Sequence, residues 1–182
     1  MILPEDERVR LRRENGSRSA LFIATAAAAL SADVVSKAVA VGVLTPGRPV
    51  PVFGHSVSLA LIRNSGAALS WGDDYPMALT FLVAAVVGAV ARRGTSVVSP
   101  AAAVGLGLVL GGAAGNLADR LFRAPGPLRG AVVDFVSVGW SPTFNAADVS
   151  VLSGVLVLAW LVLAKSAAAA SQFGWDDADD PI

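Results

Sequence analysis

The chain contains no cysteine and only one histidine, His55, in 182 residues. The first absence removes thiol nucleophiles, disulfides and cysteine-ligated metals, and the second leaves too few imidazoles for a histidine-based zinc site. Charge is scarce as well. Asp, Glu, Lys and Arg make up 15% of the residues against 54% hydrophobic, and the mean hydropathy is +0.64. A soluble domain must coat its surface with more charge than this, so the composition specifies an integral membrane protein. Any hydrolytic chemistry then rests on carboxylates, hydroxyls or lysine, and no metal or cofactor is expected. The formal net charge is zero, yet the charges are segregated: Arg8, Arg10, Arg12, Arg13 and Arg18 lie near the N-terminus and Asp176, Asp177, Asp179 and Asp180 near the end. The basic cluster abuts a hydrophobic segment, which marks a topology signal and gives no indication of nucleic-acid binding.

Four hydrophobic segments are long enough, or nearly so, to cross a hydrocarbon core of about 30 Å: 21–43, 77–91, 97–117 and 144–163. The first carries Asp33 and Lys37 and lacks a compact apolar region before a cleavage site, so it reads as a retained helix rather than a signal sequence. Arg92 and Arg93 separate the second and third segments, and Lys165 follows the fourth. Positive-inside reasoning therefore puts both termini and the 92–93 turn in the cytoplasm, with loops 44–76 and 118–143 outside, although Arg48, Arg63, Arg120, Arg123 and Arg129 in those loops oppose the bias. The chain divides accordingly into a basic extension (1–20), a four-helix membrane domain (21–165) and an acidic tail (166–182). Residues 56–61 and 130–138 read as short strands, so a small sheet is expected on the outer face. Gly139 and Pro142 break the second run before Thr143 or Asn145 caps the fourth helix. There is no internal repeat, and the only low-complexity stretch is the alanine run 167–170.

Polar residues inside these spans are expensive and mark sites. At 1.5 Å per residue, Asp148 lies roughly 6 Å below the outer end of the fourth segment and Asp33 roughly 18 Å from the inner end of the first. Asn116 and Arg120 share a face at the outer end of the third. The costly groups of several segments thus gather at one level near the outside. Asp33 and Lys37, at i and i+4, form an intramembrane ion pair with a structural role. A serine activated by Lys37, with Ser65 or Ser70 as candidates, is the weaker hydrolytic alternative. Gly107, Gly111 and Gly115 form two overlapping GxxxG repeats that serve close helix packing. Arg120 is suited to stabilise a carboxylate or a developing oxyanion. Asp134 and Asp148 carry the chemistry as a pair: two nearby carboxylates cannot both ionise cheaply, so one keeps a proton while the other activates water. Asn64 is the polar candidate of the first loop, Asn145 precedes Asp148 by one turn, and His55 reads as an incidental loop residue. A small ion- or proton-coupled transporter is the competing class. Its sites belong near the midplane between related halves, whereas these lie outward in a chain without repeats.

Taken in order, Asp33xxxLys37, Asn64-Ser65-Gly66-Ala67-Ala68, Gly111-Gly112-Ala113-Ala114-Gly115-Asn116-Leu117-Ala118-Asp119-Arg120, Val133-Asp134-Phe135 and Phe144-Asn145-Ala146-Ala147-Asp148 resemble the signal peptidase II family. The resemblance runs from about residue 30 to 150. It implies a four-helix aspartic endopeptidase of the bacterial cytoplasmic (inner) membrane, active near the extracytoplasmic face as a monomer among membrane lipids. Its substrates would be prolipoproteins, cut N-terminal to a cysteine that already carries diacylglycerol. The catalytic pair implied is Asp134 and Asp148. Asn116, Arg120 and Asn145 match family positions around the pair, and Asn64, Asp119, Asp33 and Lys37 match its other motif positions. The arginine-rich N-terminal extension and the acidic tail depart from the shorter family pattern. Dominant alanine, valine and arginine with few lysines point to a high-GC bacterium.

Overall fold

The computed structural model describes residues 4–54, 56–66, 75–97, 99–139 and 141–173. His55, Ser70 and the terminal acidic cluster lie outside them. Helices α1 (Glu5–Val43), α2 (Pro76–Gly94), α3 (Pro100–Phe122) and α4 (Ala146–Phe173) are each long and apolar enough to cross a bilayer. Strands β1 (Val50–Phe53), β2 (Val57–Asn64) and β3 (Val132–Val138) form one antiparallel sheet in the order β1-β2-β3. The strands belong to the α1–α2 and α3–α4 connections, so the sheet is built at the end of the bundle where α1 and α3 finish and α2 and α4 begin.

The element bounds differ from the hydropathy reading where local chemistry overrides it. Helix α1 starts at Glu5 rather than at residue 21, because the basic extension contains no proline after Pro4 and its i, i+4 pairs Arg10–Glu14, exposed, and Arg18–Glu14, half-buried, support helix. Helix α3 starts at Pro100 because Ser99 accepts the N–H of Ala102 as N-cap and proline suits the first turn. It continues past residue 117 to Phe122, which puts Asp119 in the helix and keeps Arg120 on the helical face expected for it with Asn116. Helix α4 runs on through the alanine run to Phe173. Both expected strands form, as 57–64 and 132–138, and β1 is an addition. β1 holds Pro51 and is exposed throughout, which an edge strand tolerates.

Helix α3 is the centre, packed against α1, α2 and α4. Its small residues make that possible. A methyl group on Gly111 would run into the backbone of Ala26 and the side chain of Ala29 on α1, and one on Gly112 would meet the carbonyl of Ala147 on α4. In lipid, where apolar side chains gain nothing by leaving the solvent, such backbone approach supplies the packing. The GxxxG reading therefore accounts for the α1 face, and Gly105, Gly112 and Gly154 add a second glycine contact toward α4. Away from the sheet, Phe22, Val97 and Ala103 close the bundle. Much of α4 is exposed, including Val155, Trp160, Val162 and Leu163, as suits a helix facing hydrocarbon.

Candidate active site

Asp134 sits in the middle of β3, paired in register with Ile62, and Asn64 lies diagonally across on β2. The Asn64 Nδ2 donates to Asp134 Oδ2 at 3.0 Å, while its Oδ1 accepts the N–H of Gly66 at 3.0 Å, a local turn that fixes which end of the amide faces the carboxylate. Arg120 holds the same loop, donating to the carbonyls of Ser65 at 3.0 Å and Gly66 at 2.5 Å. From its position in sequence Arg120 is expected to face a carboxylate or an oxyanion. In the fold its guanidinium grips backbone after β2 and also lines the cleft described below.

The segment after β3 doubles back at Gly139 (φ +53°), and Phe144 bridges Val136 through reciprocal backbone hydrogen bonds of 2.9 Å. That return sets the start of α4 beside Asp134. Asn145 Oδ1 accepts the N–H of Asp148 at 3.1 Å and Asp148 Oδ2 accepts the N–H of Asn145 at 3.0 Å, a reciprocal capping box that fixes the Asp148 rotamer. The Asn145 amide then donates to Asp134 Oδ1 at 2.6 Å, to the Val133 carbonyl at 3.3 Å and to Asn116 Oδ1 at 3.2 Å. Asn116 Nδ2 donates to Asp148 Oδ1 at 2.9 Å. Asp134 and Asp148 are thus tied into one network by two amides, Asn145 and Asn116.

Burial pushes the carboxyl of Asp134, 3% exposed, up to about 6; the Asn64 hydrogen bond opposes this, the charge of Asp148 adds to it, and Asn145 and Lys37 oppose it. The protonated form is therefore favoured at Asp134 over a range in which an ordinary aspartate is ionised.

Beneath this layer lies Lys37, 1% exposed. Its ammonium is 2.7 Å from Asp33 Oδ2, 3.0 Å from Asp119 Oδ2 and 2.8 Å from Asn116 Oδ1. The Asp33 contact is one of charge, since Oδ2 receives no aligned hydrogen bond. Asp119 also pairs with Arg123 and accepts the N–H of Val133. Lys37 thus faces two carboxylates and an amide oxygen, and this charge pairing gives no support to the Ser/Lys alternative. The ion pair expected from Asp33 and Lys37 is present, but it extends to α3, β3 and α4, which helical spacing within α1 could not reveal. Arg123 and Gly115, whose missing Cβ leaves room for the Asp33 carboxylate, were also unsignalled as parts of this cluster.

Asp134, Asp148, Asn64, Asn116 and Arg120 line one cleft of about 680 Å³. Apolar residues line it too: Val83 of α2 and Val149, Leu152 and Leu156 of α4. Those α4 positions share a helical face, a stripe that in sequence is indistinguishable from ordinary lipid-facing residues. Among the described residues, no three His, Cys, Asp or Glu are grouped to hold a metal ion.

Comparison with known proteins is consistent with this arrangement. The family model described as signal peptidase (SPase) II matches residues 25–164. The lipoprotein signal peptidase of Mycobacterium avium (strain 104) is 50% identical over 159 residues, covering 87% of this chain and 82% of that protein. The lipoprotein signal peptidase of Mycolicibacterium smegmatis is 53% identical over 146 residues, 80% of this chain, which spans only 62% of that longer relative. A solved bacterial membrane enzyme superposes with a TM-score of 0.71 at 22% identity, covering 88% of this chain and 93% of its own, a likeness of fold. By the extent of the family match and the identity to these relatives, the chain belongs to the signal peptidase II family.

Proposed function

We propose that Asp134 and Asp148 are the catalytic carboxyls with which this membrane peptidase removes signal peptides from diacylglyceryl-modified prolipoproteins, cutting N-terminal to the lipidated cysteine. The observation that carries the reading is that both carboxyls line one cleft and are linked through two hydrogen-bonded amides, Asn145 on Asp134 and Asn116 on Asp148. Burial favours the protonated form at Asp134, which leaves Asp148 to take the proton from water. The hydroxide equivalent attacks the scissile carbonyl carbon as Asp134 gives its proton to the carbonyl oxygen. Asp148 then passes its proton to the departing amine, the C–N bond breaks, and the diol returns a proton to Asp134. Asn64, Asn116 and Asn145 hold the two carboxyls, and Arg120 holds the loop that borders the substrate.

The apolar wall of Val83, Val149, Leu152 and Leu156 suits the lipid-bearing end of the substrate, and the polar end of the cleft suits the peptide. Arg92 and Arg93 at the end of α2, together with the N-terminal arginines, support an orientation with both termini cytoplasmic and the site near the extracytoplasmic face. Every side chain named in the network comes from one chain, so a monomer is sufficient. A transporter would centre its polar groups between related halves, and here they gather toward the sheet.

The test is turnover of a synthetic diacylglyceryl prolipoprotein peptide by purified Asp134→Asn and Asp148→Asn proteins. Each is expected to lose at least about 10³-fold in kcat while remaining folded in the membrane, since the mechanism needs both carboxyls. Near-normal turnover in either variant would remove the pair assignment.

A further inference from the structure

Two buried carboxylates outside the cleft lining each hold the residue that precedes one of the proposed catalytic aspartates. Asp33 Oδ1, on α1, accepts the backbone N–H of Ala147 at 2.9 Å, one position before Asp148. Asp119 Oδ2, on α3, accepts the backbone N–H of Val133 at 3.1 Å, one position before Asp134. Both carboxylates also meet the same ammonium, Lys37 Nζ, at 2.7 Å and 3.0 Å, and Asp119 pairs with Arg123 through its other oxygen. The third oxygen on Lys37 is Asn116 Oδ1, which turns the Asn116 amide so that its Nδ2 faces Asp148.

An ion cluster that served only to hold helices together would have no use for these backbone bonds. Burying a cation with two carboxylates is costly, and apolar side chains of similar volume pack segments as firmly. What they cannot do is accept an N–H. The N–H of Ala147 is one of the donors that the first turn of α4 cannot satisfy internally, so Asp33 caps α4 from another helix. Val133 is fully buried on a strand whose neighbour Asp134 must face the cleft, and Asp119 fixes its backbone from α3.

We propose that Asp33, Lys37 and Asp119 form one brace that sets the separation of Asp134 and Asp148. Lys37 fixes two carboxylates relative to each other, and each carboxylate fixes one aspartate through the backbone. The inference rests on Asp134 and Asp148 being the catalytic pair. The three brace members are positioning residues, since they act through the backbone and do not line the cleft.

The experiment compares alanine with asparagine at each carboxylate position in the full-length purified protein, measuring kcat and KM on the diacylglyceryl peptide together with thermal unfolding. Asparagine keeps an oxygen for the N–H; alanine does not. Asp33→Ala and Asp119→Ala are expected to lose about 10²-fold in kcat, the order expected of a misplaced reacting group, with KM unchanged. Asp33→Asn and Asp119→Asn should stay within about tenfold of wild type, since the backbone bond survives. Alanine variants that keep wild-type kcat, asparagine variants that lose as much as alanine, or losses confined to KM would each overturn the brace. Should an alanine variant not fold, the asparagine variant decides alone, because a folded one with a 10²-fold loss contradicts the proposal. Active Asp134→Asn or Asp148→Asn protein would show instead that the pair assignment is wrong, and the brace would fall with it.

Discussion

Helix α1 carries acid–base pairs at the same four-residue spacing in two different surroundings. Near its start, Glu14 meets Arg10 at 3.2 Å and Arg18 at 3.0 Å, with the Arg10 side chain 81% exposed. Further along, Asp33 meets Lys37 at 2.7 Å with both side chains essentially inaccessible. Water and salt screen the first pairs, which contribute a few tenths of a kcal/mol to helix. The second pair has no water to fall back on, so its members recruit Asn116, Asp119 and two backbone N–H groups at Ala147 and Val133, the second through Asp119. One spacing thus yields a local helix support in one place and a connection between four elements in the other. Burial makes the difference, by making every unpaired polar atom costly.

Lys37→Met breaks the comparison most directly. It leaves Asp33 without its cation and Asp119 with Arg123 alone at low dielectric, and a loss of about 3–5 kcal/mol in unfolding free energy is expected. Thermal unfolding in detergent checks this, and a change under about 1 kcal/mol would show that the buried pair behaves like the exposed ones.

Substrate lipid comes next. If the apolar wall beside Val149 and Leu152 receives the lipidated segment, the same peptide without diacylglycerol should lose at least about 10²-fold in kcat/KM, because acyl burial supplies binding and fixes the depth of the scissile bond. Equal kcat/KM for the two peptides would sink the interfacial positioning.

A smaller effect sharpens the contrast through pH. The folded-state carboxyl of Asp134 is raised from 3.8 to about 6, so it loses its proton as pH rises through that value. The mechanism needs that proton, and kcat/KM should therefore fall on the alkaline side with a midpoint near 6, by about tenfold per unit beyond it. The same sign makes Asp134 a source of stability lost between pH 4 and 6, since the folded state binds the proton more tightly than the unfolded chain. A flat profile from pH 5 to 8 would show that Asp134 is not the proton holder. The smallest change is expected from Glu14→Gln: stability within about 0.5 kcal/mol and unaltered kcat and KM.

The sequence by itself determined the solvent, the four apolar spans, the two longer strands and the polar residue types available, because hydropathy and strand alternation are local properties. It also singled out Asn64, Asn116, Asn145, Asp134 and Asp148 as site residues, and the structure gathers all five in one hydrogen-bonded network. Helix ends were less legible: α1 runs on to Glu5 through residues whose polarity suggested an extension, and β1 hides behind Pro51 and full exposure. Only the tertiary structure decided what Lys37 touches, since Asn116 lies 79 positions away, and Asp33 reaches Ala147 across 114. The glycines of α3 explain why. They let α1 and α4 approach one central helix closely enough for polar groups on three helices to meet, and no spacing within a single segment records which of its faces will be brought against another.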